Sequence, residues 1–385
     1  MEDYAEQIHR CFRCGYCKFT HDYSDWNCPS YARFGFDTYS TGGRLWLGNA
    51  WLNNEIDWSE HLGEILYACT VCKNCVAQCP MRFSSDIVEW IMGIRSAMVD
   101  RGKVPEFVTR FLTNVYDYGN PLRMRRVERD NWADGIPRYQ PGDAYLLYVG
   151  CLGSYDDVAR TMARSVVDLL SGAGLPFGIL GTEEECCGNE VYMLGELALF
   201  QDLAEKNIRQ FKELGVKKVV ALSPHAYNAM KNNYPKFGAD FEVYHYLQVL
   251  DMLIGSGSLK LRGTKARVTY HDPCFLGRYN GMYDIPRRIL QSIPGVELVE
   301  MARNRENSFC CGGGSGNFVM DLLSGSTESP SRIRAREAYD TGADVLATAC
   351  PACMTMITDA VKVENLEVKI AVRDISQIVK QALPG

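Results

Sequence analysis

Sixteen cysteines constrain this chain of 385 residues more than any other feature, because they stand in tight groups along the sequence. The opening segment MEDYAEQIHR carries acidic residues without an apolar run, and no later segment reaches the roughly 18 apolar residues of a membrane span. We therefore expect a cytoplasmic protein, in which thiols stay reduced and grouped cysteines bind metal. The alternative is a disulfide framework, which the even number of cysteines allows but the missing export signal disfavours.

The charge balance excludes one class of partner. Lysine plus arginine number 41 and aspartate plus glutamate number 47, which gives a formal net charge of −6. Such a chain offers no electrostatic attraction to nucleic acid or to an anionic membrane surface. At roughly 100 to 200 residues per domain, the length predicts two or three compact domains.

The first predicted domain, residues 1–104, holds eight cysteines in two groups that each contain CxxCxxC followed later by Cys-Pro. Three thiolates spaced by two residues can cap three irons of a cubane, and in two-cluster ferredoxins the fourth ligand comes from the other group. We predict that one cubane [4Fe-4S] cluster is bound by Cys11, Cys14, Cys17 and Cys79. We predict that a second is bound by Cys69, Cys72, Cys75 and Cys28. Zinc, the alternative metal, prefers two pairs of ligands to triplets.

Residues 105–142 carry several prolines and a basic run formed by Arg123, Arg125, Arg126 and Arg129. We interpret this segment as a linker that packs on its neighbours. Basic runs usually form a solvated charged face, and a docking patch is the alternative interpretation of this one.

After residue 143, short apolar runs alternate with amphipathic stretches of helical period, which predicts mostly parallel α/β sheets. The predicted strands are residues 144–150, 175–180, 219–223, 267–271, 296–301 and 344–349. The predicted helices are residues 154–172, 196–215, 286–293, 331–342 and 354–362. The expected fold class is α+β overall, with a helical ferredoxin-like module followed by two repeated α/β units.

The two α/β units form an internal repeat, because their sulfur positions recur in the same order and at nearly the same spacing. The corresponding positions are Cys151 and Cys274, Cys186 and Cys310, Cys187 and Cys311, and Ser223 and Cys350. We place the first copy at residues 143–262 and the second at residues 263–385. In each copy the first cysteine follows a predicted strand, at the edge where open α/β sheets bind ligands. The cysteines of one copy are therefore expected to converge in space.

The second copy carries more cysteines than one zinc ion or one cubane can use. They are Cys274, Cys310, Cys311, Cys350 and Cys353. Adjacent cysteines do not easily reach two corners of one cube, so this set predicts a larger or more open iron–sulfur assembly. The glycines of CCGGGSG let the backbone approach inorganic sulfide and donate N–H groups to it. The same segment is a weak match to a dinucleotide-binding loop.

In the second copy, one cysteine is followed by about 35 residues, then by CCG and then by CPxC, and a ferredoxin-like module comes before this pattern. The arrangement resembles the catalytic D-type subunits of heterodisulfide reductase and the fused C and B subunits of its soluble form. We call each of the two repeated units a CCG copy. The resemblance implies that a complete CCG copy holds a non-cubane [4Fe-4S] cluster, where a disulfide is opened in one-electron steps through an iron-bound thiolate. It also implies that the five cysteines of the second copy are the ligands. His271, Asp272 and Pro273 match the family segment before the first ligand.

The first copy departs from the family, since Ser223, Pro224, His225 and Ala226 stand where CPxC is expected. A hydroxyl and a methyl group cannot replace two thiolates on iron, so we predict no standard cluster in this copy. His225 is either a ligand of a remnant site or a packed side chain. The resemblance implies that heterodisulfide reduction uses two such clusters, so the loss counts against that reaction. The layout with one complete copy resembles subunits of sulfite-reductase-associated complexes, of class II benzoyl-coenzyme A reductase complexes, and of anaerobic glycerol phosphate or lactate oxidation.

These patterns predict an iron–sulfur oxidoreductase subunit of an anaerobic complex, which passes electrons between two cubane clusters and one non-cubane cluster. Thiol or disulfide chemistry at the second CCG copy would make the chain an enzyme. The alternative is a pure electron relay or scaffold without a substrate, and a third interpretation is structural zinc in the CCG copies. Because the sequence has no flavin or nicotinamide motif, we expect flavin or iron–sulfur proteins as partner subunits, through which any membrane attachment comes.

Overall fold

The computed structural model describes residues 6–384, and the protein is α+β as expected. Residues 1–5, which begin the segment predicted to lack an export signal, and residue 385 lie outside the described residues. A helical module comes first, and two α/β units with the same strand order follow it. None of the described helices is long and apolar enough to cross a membrane.

The N-terminal module is built of short helices joined by loops that carry the cysteines. Its helices are α1 (Pro29–Phe34), α2 (Thr41–Leu52), α3 (Glu60–Tyr67), α4 (Asn74–Gln78) and α5 (Ile87–Asp100). The hydroxyls of Ser40 and Ser59 cap α2 and α3 by accepting N–H groups of the first turn. At Gly48, α2 lies so close to α5 that a Cβ atom would overlap Ile94. This close packing fixes the positions of the loops between the helices.

The segment predicted as a linker contains a helix, α6 (Glu106–Tyr118), which was not expected from the sequence. Its buried face consists of Val108, Phe111 and Val115. Pro105 precedes this helix and Pro121 follows it, so neither proline interrupts its hydrogen bonds. The basic run is not one continuous face, because Arg129 is buried in an ion pair with Glu184.

Each α/β unit contains a four-stranded sheet in which all neighbouring strands are parallel. The first sheet consists of β1 (Tyr145–Tyr148), β2 (Phe177–Gly178), β3 (Lys218–Ala221) and β4 (Glu242–His245). The second consists of β5 (Ala266–Tyr270), β6 (Val296–Leu298), β7 (Val345–Thr348) and β8 (Ala371–Asp374). The register places Leu147 opposite Val220 and Thr269 opposite Leu346. The strand orders β2-β1-β3-β4 and β6-β5-β7-β8 are equivalent, as an internal repeat requires.

Helices connect the parallel strands and bury them. The first unit contains α7 (Gly150–Tyr155), α8 (Asp157–Gly172), α9 (Asn189–Met193), α10 (Leu197–Glu213), α11 (Pro224–Asn228) and α12 (Tyr246–Gly255). The second contains α13 (Asp284–Ser292), α14 (Asn317–Met320), α15 (Pro330–Asp340), α16 (Pro351–Val363) and α17 (Ile375–Gln381). The units pack through α8 against α17 and, reciprocally, through α13 against α12. These pairs are equivalent in the repeat, so the interface is approximately two-fold.

The last strand and helix of each unit were not expected from the sequence. The strands β4 and β8 lie at sheet edges, and each mixes charged and apolar residues over four positions. Short edge strands lack the continuous apolar run that identifies the central strands. His245 and Asp374 begin the following helices with matching capping boxes, which is a further sign of the repeat.

Candidate metal centres

The sixteen cysteines, all within the described residues, are free thiols. In the N-terminal module they lie in two groups of four. The outer group, which lines a cavity of about 580 Å³, consists of Cys11, Cys14, Cys17 and Cys79. The inner group, which lines a second space, consists of Cys28, Cys69, Cys72 and Cys75. The structure therefore brings together the same two sets of four cysteines that the spacing assigns to the two cubanes.

The two CxxCxxC loops share one backbone shape. In the outer loop Arg13 and Gly15 have positive φ angles of 59° and 87°, and in the inner loop Val71 and Lys73 have angles of 45° and 60° at the equivalent positions. A β-branched residue in this region carries strain of about 1 to 3 kcal/mol, which persists only where the surrounding structure imposes it. The amide of Val71 lies 3.4 Å from Cys69 Sγ and donates a hydrogen bond to it. The three thiols of each loop line one common space.

Burial raises the pKa of several thiols in both groups. Burial raises the pKa of Cys17 to about 12, and the neighbouring Cys28 adds to the increase. Burial also raises the pKa of Cys75 well above its ordinary value, with Cys69 as the next cause. Thiols of this kind stay protonated without a metal, so metal binding at either group releases protons.

The two groups differ in exposure. Cys14 of the outer group is exposed, whereas three of the four cysteines of the inner group are buried. The buried guanidinium of Arg44 lies beside the inner group, where it donates hydrogen bonds to the carbonyl oxygens of Tyr39 and Ile65 at 2.5 and 2.7 Å. Burial raises the pKa of Cys28, and the charge of Arg44 opposes this increase. The outer group therefore faces the surface, and the inner group lies deeper in the molecule.

In the second α/β unit, the strand order reverses between β5 and β7, and ligands of open α/β sheets bind at this kind of position. Cys274 follows β5, Cys350 follows β7, and Cys310 and Cys311 approach from the loop after β6. All five cysteines of this copy are buried. The Sγ atoms of Cys311 and Cys353 are 3.3 Å apart, and the Cys274 thiol interacts with that of Cys310. The five predicted ligands are therefore neighbours in space.

The helix α16 contributes two of these cysteines. Cys350 is the residue before its first turn, Pro351 is the first helical residue, and Cys353 lies within that turn. Proline is well suited to this position, since its missing N–H group would have no partner there. The free N–H groups and the dipole of a 13-residue helix favour negative charge at its start. Thiolates and any anionic cluster bound by them are stabilised at this point.

The first copy keeps the same framework with three thiols. The amide of Gly188 donates to Cys186 Sγ at 3.4 Å, as the amide of Gly312 does to Cys310 Sγ at the same distance. Ser223, in the place of a cysteine, has become the cap of α11 and accepts the N–H group of His225 at 3.1 Å. The framework of the CCG turn is therefore retained, although two sulfur ligands are lost.

His225 is paired with a carboxylate. Its Nδ1 atom lies 2.5 Å from Glu190 Oε1. Burial alone would lower the pKa of His225, but Glu190 and the neighbouring Cys350 raise it well above its ordinary value. His225 thus lies between the two copies, in contact with a predicted ligand of the complete one. The pair with Glu190 could not be predicted from the sequence, because the two residues share no motif.

The inner group contacts the second CCG copy directly. Thr70 Oγ1 lies 3.6 Å from Cys310 Sγ, and the interaction between Cys72 and Cys310, together with burial, raises the pKa of Cys72 well above its ordinary value. The backbone of Gly314, in the CCGGGSG segment, passes so close to Thr70 that a Cβ atom would lie 2.6 Å from the Thr70 carbonyl oxygen. Tyr279 donates a hydrogen bond of 2.6 Å to the carbonyl oxygen of Val71. The two metal-binding regions are therefore one packed unit.

Replacing Gly314 by alanine is expected to separate these regions and to lower the free energy of unfolding by about 1 to 3 kcal/mol, because the added methyl group meets backbone. Anaerobic urea unfolding measures the change. Gly172→Ala is the matched control, since its Cβ would meet no atom within 4 Å in the helix α8. The control is expected to raise stability by up to about 1 kcal/mol. Equal stability of both variants would show that Gly314 is not a close contact.

Models of two known domains match the chain. The cysteine-rich CCG domain matches residues 145–231 and again residues 268–358, and the 4Fe-4S dicluster domain matches residues 7–83. The D-type subunit of the dihydromethanophenazine:CoB–CoM heterodisulfide reductase of Methanosarcina mazei is 30% identical over 405 aligned positions, which cover 98% of this chain and 94% of that protein. The chain belongs to the family of heterodisulfide reductase D-type subunits.

Two bacterial relatives are longer than this chain. The probable iron-sulfur-binding oxidoreductase FadF of Bacillus subtilis is 39% identical, over 84% of this chain and 47% of FadF. The EtfAB:quinone oxidoreductase of Syntrophomonas wolfei is 35% identical, over 83% of this chain and 47% of that protein. The chain thus spans about half the length of these two relatives. The matched domain models indicate a protein that binds [4Fe-4S] clusters.

The thiol groups fit the clusters that the family implies. The outer and inner groups each offer four sulfur ligands, which is the set that a [4Fe-4S] cubane takes. The second CCG copy offers five, together with an N–H donor at Gly312. Sulfur alone in such numbers suits iron–sulfur clusters better than single zinc ions.

Proposed function

We propose that this family member carries electrons along a row of three iron–sulfur clusters. The outer and inner groups each hold a cubane [4Fe-4S] cluster, and the second CCG copy holds a non-cubane one. The first CCG copy holds none, because it offers only the thiols of Cys151, Cys186 and Cys187. The supporting findings are the two matching domain models and the grouping of the thiols.

The observation that carries this proposal is that thiols of each site lie near thiols of the next. Cys17 of the outer group neighbours Cys28 of the inner group, and Cys72 of the inner group neighbours Cys310 of the second CCG copy. An electron that enters at the exposed side of the outer group therefore has a path of adjacent ligands to the buried CCG site. On this path the electron crosses no other domain.

When bound, such clusters take up and release single electrons. The residues of the chain supply the environment for this transfer. Burial of the inner and CCG cysteines excludes water, and Arg44 and the amides of Val71 and Gly312 offset the negative charge on sulfur. These groups of the chain tune the reduction potentials of the bound clusters.

We propose further that the chain acts within an anaerobic complex and exchanges electrons with a flavin or iron–sulfur protein at the exposed side near Cys14. Two relatives support this: one is named as part of a reductase, and the other is named as an oxidoreductase of EtfAB and quinone. Any attachment to a membrane comes through such a partner protein.

A second function, reduction of a disulfide, is favoured by a cavity of about 60 Å³ between the two CCG copies. Cys187 and His225 line it from the first copy and Pro351 from the second, directly beside Cys350. The reaction breaks one S–S bond, takes two electrons from the partner protein and two protons from water, and yields two thiols. The five cysteines of the second copy are the residues that we assign to it.

The isolated chain, purified and assayed without oxygen, distinguishes the two functions. With reduced methyl viologen as donor, we expect paramagnetic signals from the reduced clusters, whichever function is correct. A relay releases no thiol from added small disulfides. A disulfide reductase releases thiol, and it also gives a paramagnetic signal when it is oxidised in the presence of thiol. Disulfide chemistry is established if Cys353→Ala abolishes both the thiol release and this signal. Failure to observe any iron–sulfur signal would refute both functions.

A further inference from the structure

His271 is a buried side chain beside the cysteines of the complete CCG copy. It follows β5 and is 1% exposed. A ring nitrogen of His271 and the Sγ atoms of Cys311 and Cys353 all lie within 4.8 Å of one another. The Nε2 atom has no hydrogen-bond partner among the described residues. A buried polar atom without a partner is costly, so we expect Nε2 to find its hydrogen-bond partner in the group that the neighbouring thiols bind.

The proton of this imidazole can be assigned from its neighbour. Arg334 Nε donates a hydrogen bond to His271 Nδ1 at 3.0 Å. A guanidinium has only donors and stays protonated in proteins, so Nδ1 must present its lone pair and the ring proton must be on Nε2. Arg334 is itself held in place, because it donates to the carbonyl oxygen of Arg303 at 2.8 Å and to Glu337 at 2.9 Å.

This tautomer excludes iron ligation by His271. A ligating histidine binds metal through one nitrogen and usually donates its other N–H group to a carbonyl or carboxylate oxygen. Here the other nitrogen faces a cationic donor, so ligation through Nε2 would leave both nitrogens without a proton. The five thiols of the copy already supply the ligands. Nε2–H is therefore a buried donor without a partner, on a ring of which one nitrogen lies within 4.8 Å of the sulfur atoms of Cys311 and Cys353.

The first CCG copy provides an internal comparison. Tyr148 occupies the position that corresponds to His271, because it precedes Cys151 by three residues, as His271 precedes Cys274. Its hydroxyl donates to the carbonyl oxygen of Glu185 at 2.5 Å and not to a cysteine. The copy that lacks two of the five cysteines thus also lacks the histidine, and the complete copy has both.

We propose that His271 donates its Nε2–H group to a sulfur atom of the cluster in the complete CCG copy, in the tautomer that Arg334 imposes. It is a positioning residue rather than a ligand. Hydrogen bonds to the sulfur atoms of a cluster stabilise its more negative, reduced state and so raise its reduction potential. This inference rests on the proposed function, which places a cluster at these five cysteines.

Two measurements on the whole chain test the inference. In unmodified protein with ¹⁵N-labelled histidine, pulsed EPR of the CCG cluster is expected to show a weak nitrogen coupling and an exchangeable proton. The strong coupling of a ligating imidazole would overturn it. In redox titrations, His271→Leu is expected to shift the CCG potential to more negative values, with the cubane potentials unchanged. His271→Gln, which keeps an N–H donor, is expected to restore part of the shift.

Tyr148→Phe is the matched control in the first copy, and it is expected to leave all potentials unchanged. Iron content separates the two ways in which the inference can fail. About twelve irons per chain with an unmoved CCG potential in His271→Leu would refute the role of His271 alone. About eight irons in unmodified protein would mean that the CCG cluster is absent, which refutes the proposed function as well.

Discussion

Cys311→Ala is expected to lower the iron content of anaerobically purified protein from about twelve to about eight atoms per chain, with an equal loss of sulfide. Cys311 lies 3.3 Å from Cys353 Sγ and also interacts with Cys310, so it is the central thiol of the five. Its removal leaves two separated parts that cannot enclose one cluster. Metal and sulfide analysis of the purified variant measures the change.

Cys187→Ala is the control, because Cys187 is the corresponding residue of the first copy. We expect this variant to keep about twelve irons, since the first copy has lost two of its five cysteines. A loss of four irons from Cys187→Ala would show that the first copy binds a cluster and that our asymmetric assignment is wrong. Zinc at either copy, measured in the same samples, would favour the structural alternative instead.

The central part of the fold could be predicted from the sequence because it rests on local patterns. The strands β1, β3, β5 and β7 are buried apolar runs, and the amphipathic helices between them have a clear helical period. The repeat of the cysteines then required one topology to occur twice. The edge strands β4 and β8 had weaker local patterns, and their stability comes from tertiary packing that a sequence does not display. The helix α6 has a clear helical period, but the prolines on either side of it favoured a linker.

The environment of the metal centres could be predicted only in part. The spacing of the cysteines indicated the two groups of four, since three thiols of each group lie on one short loop and the fourth is the Cys-Pro cysteine that follows the other loop. The pairing of Arg334 with His271 and of His225 with Glu190 joins residues that are far apart in the chain, and no motif connects them. The positive φ angle of Val71 could not be predicted either, because valine rarely adopts one.

Arg95 joins all three parts of the protein, and its side chain is fully buried. From α5 it donates to the carbonyl oxygens of Leu66 and Cys69 at 2.9 and 2.7 Å within the N-terminal module. It also donates to the carbonyl oxygen of Met193 in the first CCG copy at 2.7 Å and to Ser315 Oγ in the second at 2.5 Å. One side chain thus holds the inner cysteine loop against both copies.

Arg95→Met is expected to lower the free energy of unfolding by about 3 to 4 kcal/mol, because the variant keeps the volume but leaves several buried oxygens without a donor. Anaerobic urea unfolding of the cluster-loaded protein measures this change. Arg101→Met is the control at the end of the same helix, where the exposed guanidinium lies 4.7 Å from the ring of Trp51. Loss of this cation–π contact is expected to change the free energy of unfolding by less than about 1 kcal/mol. Equal effects of the two substitutions on stability would contradict the central role of Arg95. A selective loss of electron transfer from the inner to the CCG cluster in Arg95→Met would show that Arg95 also supports transfer between these clusters.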